Sequence, residues 1–134
     1  MVVLDTYAWV EYFRGTEKGL VVKELLEKED VITPSIVLAE LARKYKREGF
    51  STTEIAKRLY FIVSVTEVEG ISVEVALKAS ELYIKLHKIS KEKKLRTPSL
   101  ADAIVYAIAL IKNDKLVTGD KLFKGLEAVI YIGD

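Results

Sequence analysis

An α/β domain built on a parallel sheet is the fold class this sequence predicts, and three observations carry the expectation. Short apolar runs alternate with segments of helical apolar spacing along the whole chain. Those runs are continuous rather than alternating, as strands are when both of their faces are covered. No linker, low-complexity tract or shift in composition interrupts the 134 residues, so one domain spanning 1–134 is expected.

Val2-Val3-Leu4 reads as a short buried strand, followed by a helix over Thr6 to Arg14 that ends at Gly15. Thr16 to Glu29 places Leu20, Val21, Leu25 and Leu26 at helical spacing. Val31-Ile32 is a brief second strand. Thr33 then reads as an N-cap, with Pro34 at the first helical position, where a missing N–H costs nothing. That helix runs to about Glu48 and stops at Gly49, and Ser51-Thr52-Thr53-Glu54 opens the next with a capping-box pattern. A third strand is expected near Val68 to Ile71, a long helix from about Val73 to Ile89, and a basic loop over Ser90 to Arg96. Ser99 to Lys112 reads as helix, Leu116 to Thr118 as strand, and Ala128 to Ile132 as a last strand. The only two prolines sit in the same tripeptide, Thr33-Pro34-Ser35 and Thr97-Pro98-Ser99, which predicts one helix-start solution used twice.

Composition narrows the class further. Half the residues are hydrophobic and 31% are charged, which excludes a disordered chain. The longest apolar run, Ala103 to Ile111, is short for a membrane span and suits a buried core helix. No membrane partner is expected, and the N-terminus shows no signal-peptide pattern. Cysteine is absent, which removes disulfides and thiolate metal sites and fits a cytoplasmic protein. The net charge of +1 becomes +5 if four carboxylates are neutralised by metal, a balance that would suit a polyanionic substrate.

Four acids stand out for their placement: Asp5, Glu40, Asp102 and Asp120. Asp5 follows the first strand and Asp120 follows Leu116-Val117-Thr118-Gly119, and ligands of open α/β sheets bind beyond the carboxyl ends of strands. Glu40 and Asp102 lie early in two helices, where side chains project over the same sheet edge. Gathering such charges is unfavourable: two unit charges 4 Å apart repel by about 4 kcal/mol at an effective dielectric of about 20. A cation or raised pKa values would offset that repulsion. Mg²⁺ or Mn²⁺ would suit the all-oxygen donors, polarise a phosphoryl oxygen and activate water. Each acid also has an ordinary alternative. Asp5 would cap the helix at Thr6, Asp102 would close a Ser99-x-x-Asp102 capping box, Asp120 would serve a turn, and Glu40 would take part in a salt bridge.

The ordered set Val3-Leu4-Asp5-Thr6, Ser35 to Leu41, Ser99 to Ile104 and Leu116 to Phe123 resembles the PIN-domain ribonucleases, specifically VapC-type toxins of toxin–antitoxin pairs. The resemblance covers nearly the whole chain. It implies a five-stranded parallel sheet with helices on both faces and Mg²⁺- or Mn²⁺-dependent hydrolysis of RNA phosphodiesters. It also implies Asp5 and Asp102 as central ligands completed by Glu40 and Asp120, with Thr6 and Thr118 orienting the carboxylates. A homodimer and a small VapB-like antitoxin are the implied assembly. Two positions depart from the pattern: Tyr7 stands where many relatives have Asn, and Leu122 where some have a further polar residue.

Basic side chains near the acids are candidates for RNA phosphates: Arg43 and Lys44 after Glu40, and Lys94 and Arg96 before Asp102. The aromatic run Tyr7, Trp9, Tyr12 and Phe13 reads first as core packing, with base stacking or a protein interface as the alternative. Other functions stay open at this point: a non-catalytic PIN-like module, a single-strand nuclease of RNA processing, and a phosphatase or phosphoacceptor domain. The last lacks its motifs, since Asp5 is followed by Thr6-Tyr7 and the third-strand region carries no Asp.

Overall fold

A computed structural model describes all 134 residues. In chain order the elements are β1 (Val2–Leu4), α1 (Thr6–Arg14), α2 (Glu17–Lys28), β2 (Val31–Pro34), α3 (Ser35–Arg47), α4 (Thr52–Val65), β3 (Glu67–Glu69), α5 (Val73–Lys93), α6 (Leu100–Lys112), β4 (Lys115–Thr118), a 3-10 turn (Lys121–Phe123) and β5 (Val129–Tyr131). The five strands form one sheet of order β3-β2-β1-β4-β5, parallel at every pairing. This is the α/β architecture expected from the alternation of elements.

Every residue of β1 and β2 is buried, as are Leu116, Val117 and Thr118 of β4, so helices cover both faces of the central strands. The chain steps one way from β1 to β2 to β3 and then returns past β1 to reach β4. Right-handed connections therefore put α1 to α4 on one face and α5 with α6 on the other. The reversal falls between β1 and β4, which makes the carboxyl ends of those two strands the crevice of the sheet. A core of 28 buried apolar residues joins the layers. Its centre is α6, where Ala103 to Ala109 are all buried, which explains an apolar run too short for a membrane. No helix is long and apolar enough to cross a membrane.

Three local expectations need correction. Thr33 is the third residue of β2 and not a helix cap. Its hydroxyl accepts from Trp9 Nε1 at 3.2 Å and pairs with Thr66 Oγ1 at 2.9 Å, while Thr66 donates to the Ile62 carbonyl. A buried hydroxyl claimed by two tertiary partners is not free to cap. Pro34 occupies the cap position, with no side-chain cap bond. In the second tripeptide Ser99 is the N-cap, so the two copies do different jobs. The basic segment after Ile89 continues α5 through Lys93, and Lys94 ends it in the left-handed conformation (φ 55°). Strand β3 lies at Glu67–Glu69, slightly before its expected place, because Thr33 and Pro34 pair with Val68 and Glu69. It is an edge strand with partly exposed residues, where hydropathy is a weak guide.

Candidate active site

Three of the four acids are placed by a local structural rule before any question of function arises, and the fourth, Glu40, by a contact between helices. Asp5 is the N-cap of α1, and its Oδ1 accepts from the Ala8 amide at 2.9 Å. Asp102 closes a capping box at the start of α6. The Ser99 hydroxyl accepts from the Asp102 amide at 3.2 Å, and Asp102 Oδ2 accepts from the Ser99 amide at 2.7 Å. Asp120 caps the 3-10 turn, with Oδ1 accepting from the Leu122 amide at 2.9 Å, and its own amide donates to Thr118 Oγ1. Glu40 lies in the second turn of α3, where Oε1 accepts from Thr6 Oγ1 at 2.8 Å. The ordinary roles weighed for Asp5, Asp102 and Asp120 are thus real, and they coexist with convergence. The salt bridge considered for Glu40 is replaced by a threonine hydroxyl.

The four carboxylates line a single pocket of about 130 Å³ with Thr6, Tyr7, Arg96, Val105 and Phe123. Asp5 contributes from the end of β1, Glu40 from α3, Asp102 from α6 and Asp120 from beyond β4, so four separate segments meet at the crevice. Burial pushes the Asp5 carboxyl from 3.8 up to about 7, against hydrogen bonds from Thr118 and Ala8, with repulsion from Asp120 and Asp102 adding to it. Glu40 is also raised, chiefly by burial, while Thr6, Arg43 and Arg96 favour its charged form. Thr118 is fully buried beside the site.

A guanidinium stands among the acids. Arg96 Nη1 and Nη2 donate to Asp102 Oδ2 and Oδ1 at 2.9 and 3.0 Å, a two-pronged pairing. Its Nε donates to Asp120 Oδ2 at 3.1 Å, and Nη2 reaches the same oxygen. No three of the acids stand at the spacing that holds a single metal ion. Asp102 and Asp120 are turned onto Arg96 instead. The donor set is wholly carboxylate and hydroxyl oxygen, which fits a hard divalent ion in kind.

Of the basic residues singled out in the sequence, Arg96 lines the pocket and Arg43 acts on Glu40. Lys94 is exposed at the end of α5. Lys44 pairs with Glu48 at 2.7 Å and lines a different hollow with Phe13, Tyr45, Phe50 and Arg58. The aromatic helix divides in the same way. Trp9 is fully buried, and Tyr12 and Phe13 pack on the core and on Phe61. Tyr7 alone reaches the acidic pocket, its hydroxyl accepting from Lys18 Nζ at 3.0 Å. Sequence reasoning noted Tyr7 as a departure and as part of the aromatic run, without placing it in the pocket. The signal that would have placed it is Gly119, whose missing side chain makes room for the Tyr7 ring.

Similarity to solved structures follows the same lines. A toxin–antitoxin complex from Klebsiella pneumoniae contains a chain of 23% identity and TM-score 0.71, with 100% of this chain and 99% of that one covered. VapBC2 from Rickettsia felis, bound to a DNA fragment from its promoter, gives 23% identity and TM-score 0.68, covering 98% and 97%. VapC20 from Mycobacterium tuberculosis, a Sarcin-Ricin loop cleaving toxin, gives 19% and 0.65, covering 87% of each chain. At these identities the likeness is one of fold. No curated protein matches the chain in sequence. The family model described as PIN domain matches residues 2–128, nearly the full length, and this chain belongs to the PIN-domain family.

Proposed function

We propose that the protein is an Mg²⁺- or Mn²⁺-dependent endoribonuclease, the toxin of a VapBC-like pair, acting in the cytoplasm. The observation that carries this reading is the meeting of Asp5, Glu40, Asp102 and Asp120 from four segments in one pocket at the sheet's crevice. Asp5 and Asp102 would hold the ion, with Glu40 and Asp120 completing its surroundings. When bound, a divalent ion polarises a phosphoryl oxygen and favours hydroxide over water. Thr6 fixes Glu40 through its hydroxyl, and Thr118 orients Asp5 and the Asp120 backbone. Arg96 in the pocket lining, with Arg43 close enough to act on Glu40 and the exposed Lys94 two residues before Arg96, would offer positive charge to the RNA backbone. Cleavage would leave a 5′-phosphate and a 3′-hydroxyl.

Exposed apolar side chains support protein partners. Val73, Leu77 and Ile84 on α5 are exposed, as are Leu20 and Val21 on α2 and Tyr60 and Val63 on α4. Such surfaces suit a homodimer contact and a small VapB-like antitoxin. The solved neighbours include toxin–antitoxin complexes, which favours the same assembly.

Asp102→Asn tests the catalytic reading. An amide keeps one oxygen for the Ser99 cap bonds but removes the charge. Wild type with Mn²⁺ should cut RNA, EDTA should stop it, and the folded variant should be inactive. Cleavage by the variant under the same metal control would refute the assignment. A second reading, a non-catalytic binding module, draws on the Arg96 contacts that already neutralise Asp102 and Asp120. It predicts RNA binding without cleavage and no uptake of Mn²⁺ in calorimetry.

A further inference from the structure

Arg96 and the two aspartates it bridges are not held equally firmly. Asp102 is tied by the Ser99 amide and hydroxyl, and Asp120 by the Leu122 amide, all within their own helix starts. None of those bonds involves the guanidinium. Apart from the two aspartates, the guanidinium donates only to the Thr97 carbonyl, at 3.3 Å, and its side chain is 48% exposed. Arg96 lies between α5 and α6, outside any helix or strand. The acids are the fixed partners and the arginine is the movable one.

We infer that Arg96 is a resident counter-cation at the Asp102–Asp120 edge of the pocket, one that a divalent ion has to displace to engage both carboxylates. The inference rests on the metal-dependent reading above. An ion bound by both acids would sit within a few ångströms of the guanidinium that now bridges them, and like charges at that distance in a half-buried pocket repel strongly. Two of the four pocket acids, Asp102 and Asp120, already spend oxygens on Arg96, so an ion engaging both would compete for them. Metal affinity is therefore the difference between two cations' claims on the same oxygens. Arg96 lowers it, and the displaced side chain, on its loop at the pocket rim, is free to face substrate phosphate.

Calorimetric titration of the full chain with Mn²⁺ tests this on wild type, Arg96→Met and Arg96→Lys. Methionine removes the charge and the guanidinium while keeping an unbranched apolar stem. Lysine keeps the charge but loses the fork. Arg96→Met should bind Mn²⁺ at least ten-fold tighter than wild type, with Arg96→Lys between them. Its thermal midpoint should also rise more on adding Mn²⁺ than that of wild type. Equal or weaker binding by Arg96→Met, with wild type still taking up Mn²⁺, overturns the displacement while leaving the metal reading standing. Absence of Mn²⁺ uptake by all three proteins overturns both. Circular dichroism confirms folding, and should Arg96→Met not fold, the order of wild type and Arg96→Lys decides: lysine no tighter than wild type refutes the inference.

Discussion

Replacing Asp5 by Asn should stabilise the protein in the absence of divalent ions. The native state holds the Asp5 proton up to about pH 7, whereas an unfolded aspartate releases it near 3.8. Between those values the folded chain binds the proton more than the unfolded one does. Stability therefore falls as pH rises through that window, and the full penalty is present above it. A shift of about three units at about 1.4 kcal/mol each gives roughly 4 kcal/mol. Asparagine keeps the cap bond to Ala8 through its oxygen but brings an amide N–H₂ that needs a partner, which takes back about 1 kcal/mol. The expected net gain is about 3 kcal/mol at pH 8, on the order of 10 °C in midpoint for a domain of this size. Thermal melts in EDTA from pH 5 to 8 measure it: wild type should lose stability with pH more steeply than Asp5→Asn, which keeps only the slope due to the raised Glu40. Mn²⁺ at a thousand times Kd should reverse the ranking, because ion binding stabilises only the chain that keeps its carboxylate, by about 4.1 kcal/mol at that excess. A variant that melts at or below wild type in EDTA at pH 8, with a parallel pH profile, would refute the desolvation argument.

Two further perturbations test the frame around the pocket. Gly119→Ala would drive a Cβ into the Tyr7 ring and should cost about 1–3 kcal/mol in urea unfolding, with most of that loss relieved when Tyr7→Ala is added. Trp9→Phe removes the donor to Thr33 and leaves a small void, so a loss of about 2–3 kcal/mol is expected with little change in RNA cleavage; an equal loss in a Thr33→Val background would show that the hydrogen bond contributes nothing.

Most of the architecture was legible because the period of the apolar residues changes at each element and Gly15 and Gly49 end two helices at positive φ. What local reading could not see was tertiary ownership of a side chain. Thr33-Pro34-Ser35 and Thr97-Pro98-Ser99 are identical in sequence, yet Trp9 and Thr66 hold the first threonine inside the sheet while Ser99 caps the second helix. The acids themselves were legible, and the pocket gathers all four. Arg96 was noted as basic, but its pairing with Asp102 and Asp120 depends on the loop between α5 and α6 reaching the residue that opens the 3-10 turn after β4, which no periodicity encodes.

Three of the pocket acids double as fasteners for the helix or turn that follows them. Truncating any of these three to alanine would unbutton a helix or turn start as well as empty the chemistry, and lost activity would be indistinguishable from lost protein. Inactive but intact versions of this chain are reached through amides. A mutational survey that scores only abundance would therefore highlight Asp5, Asp102 and Asp120 for reasons unconnected with what the pocket does.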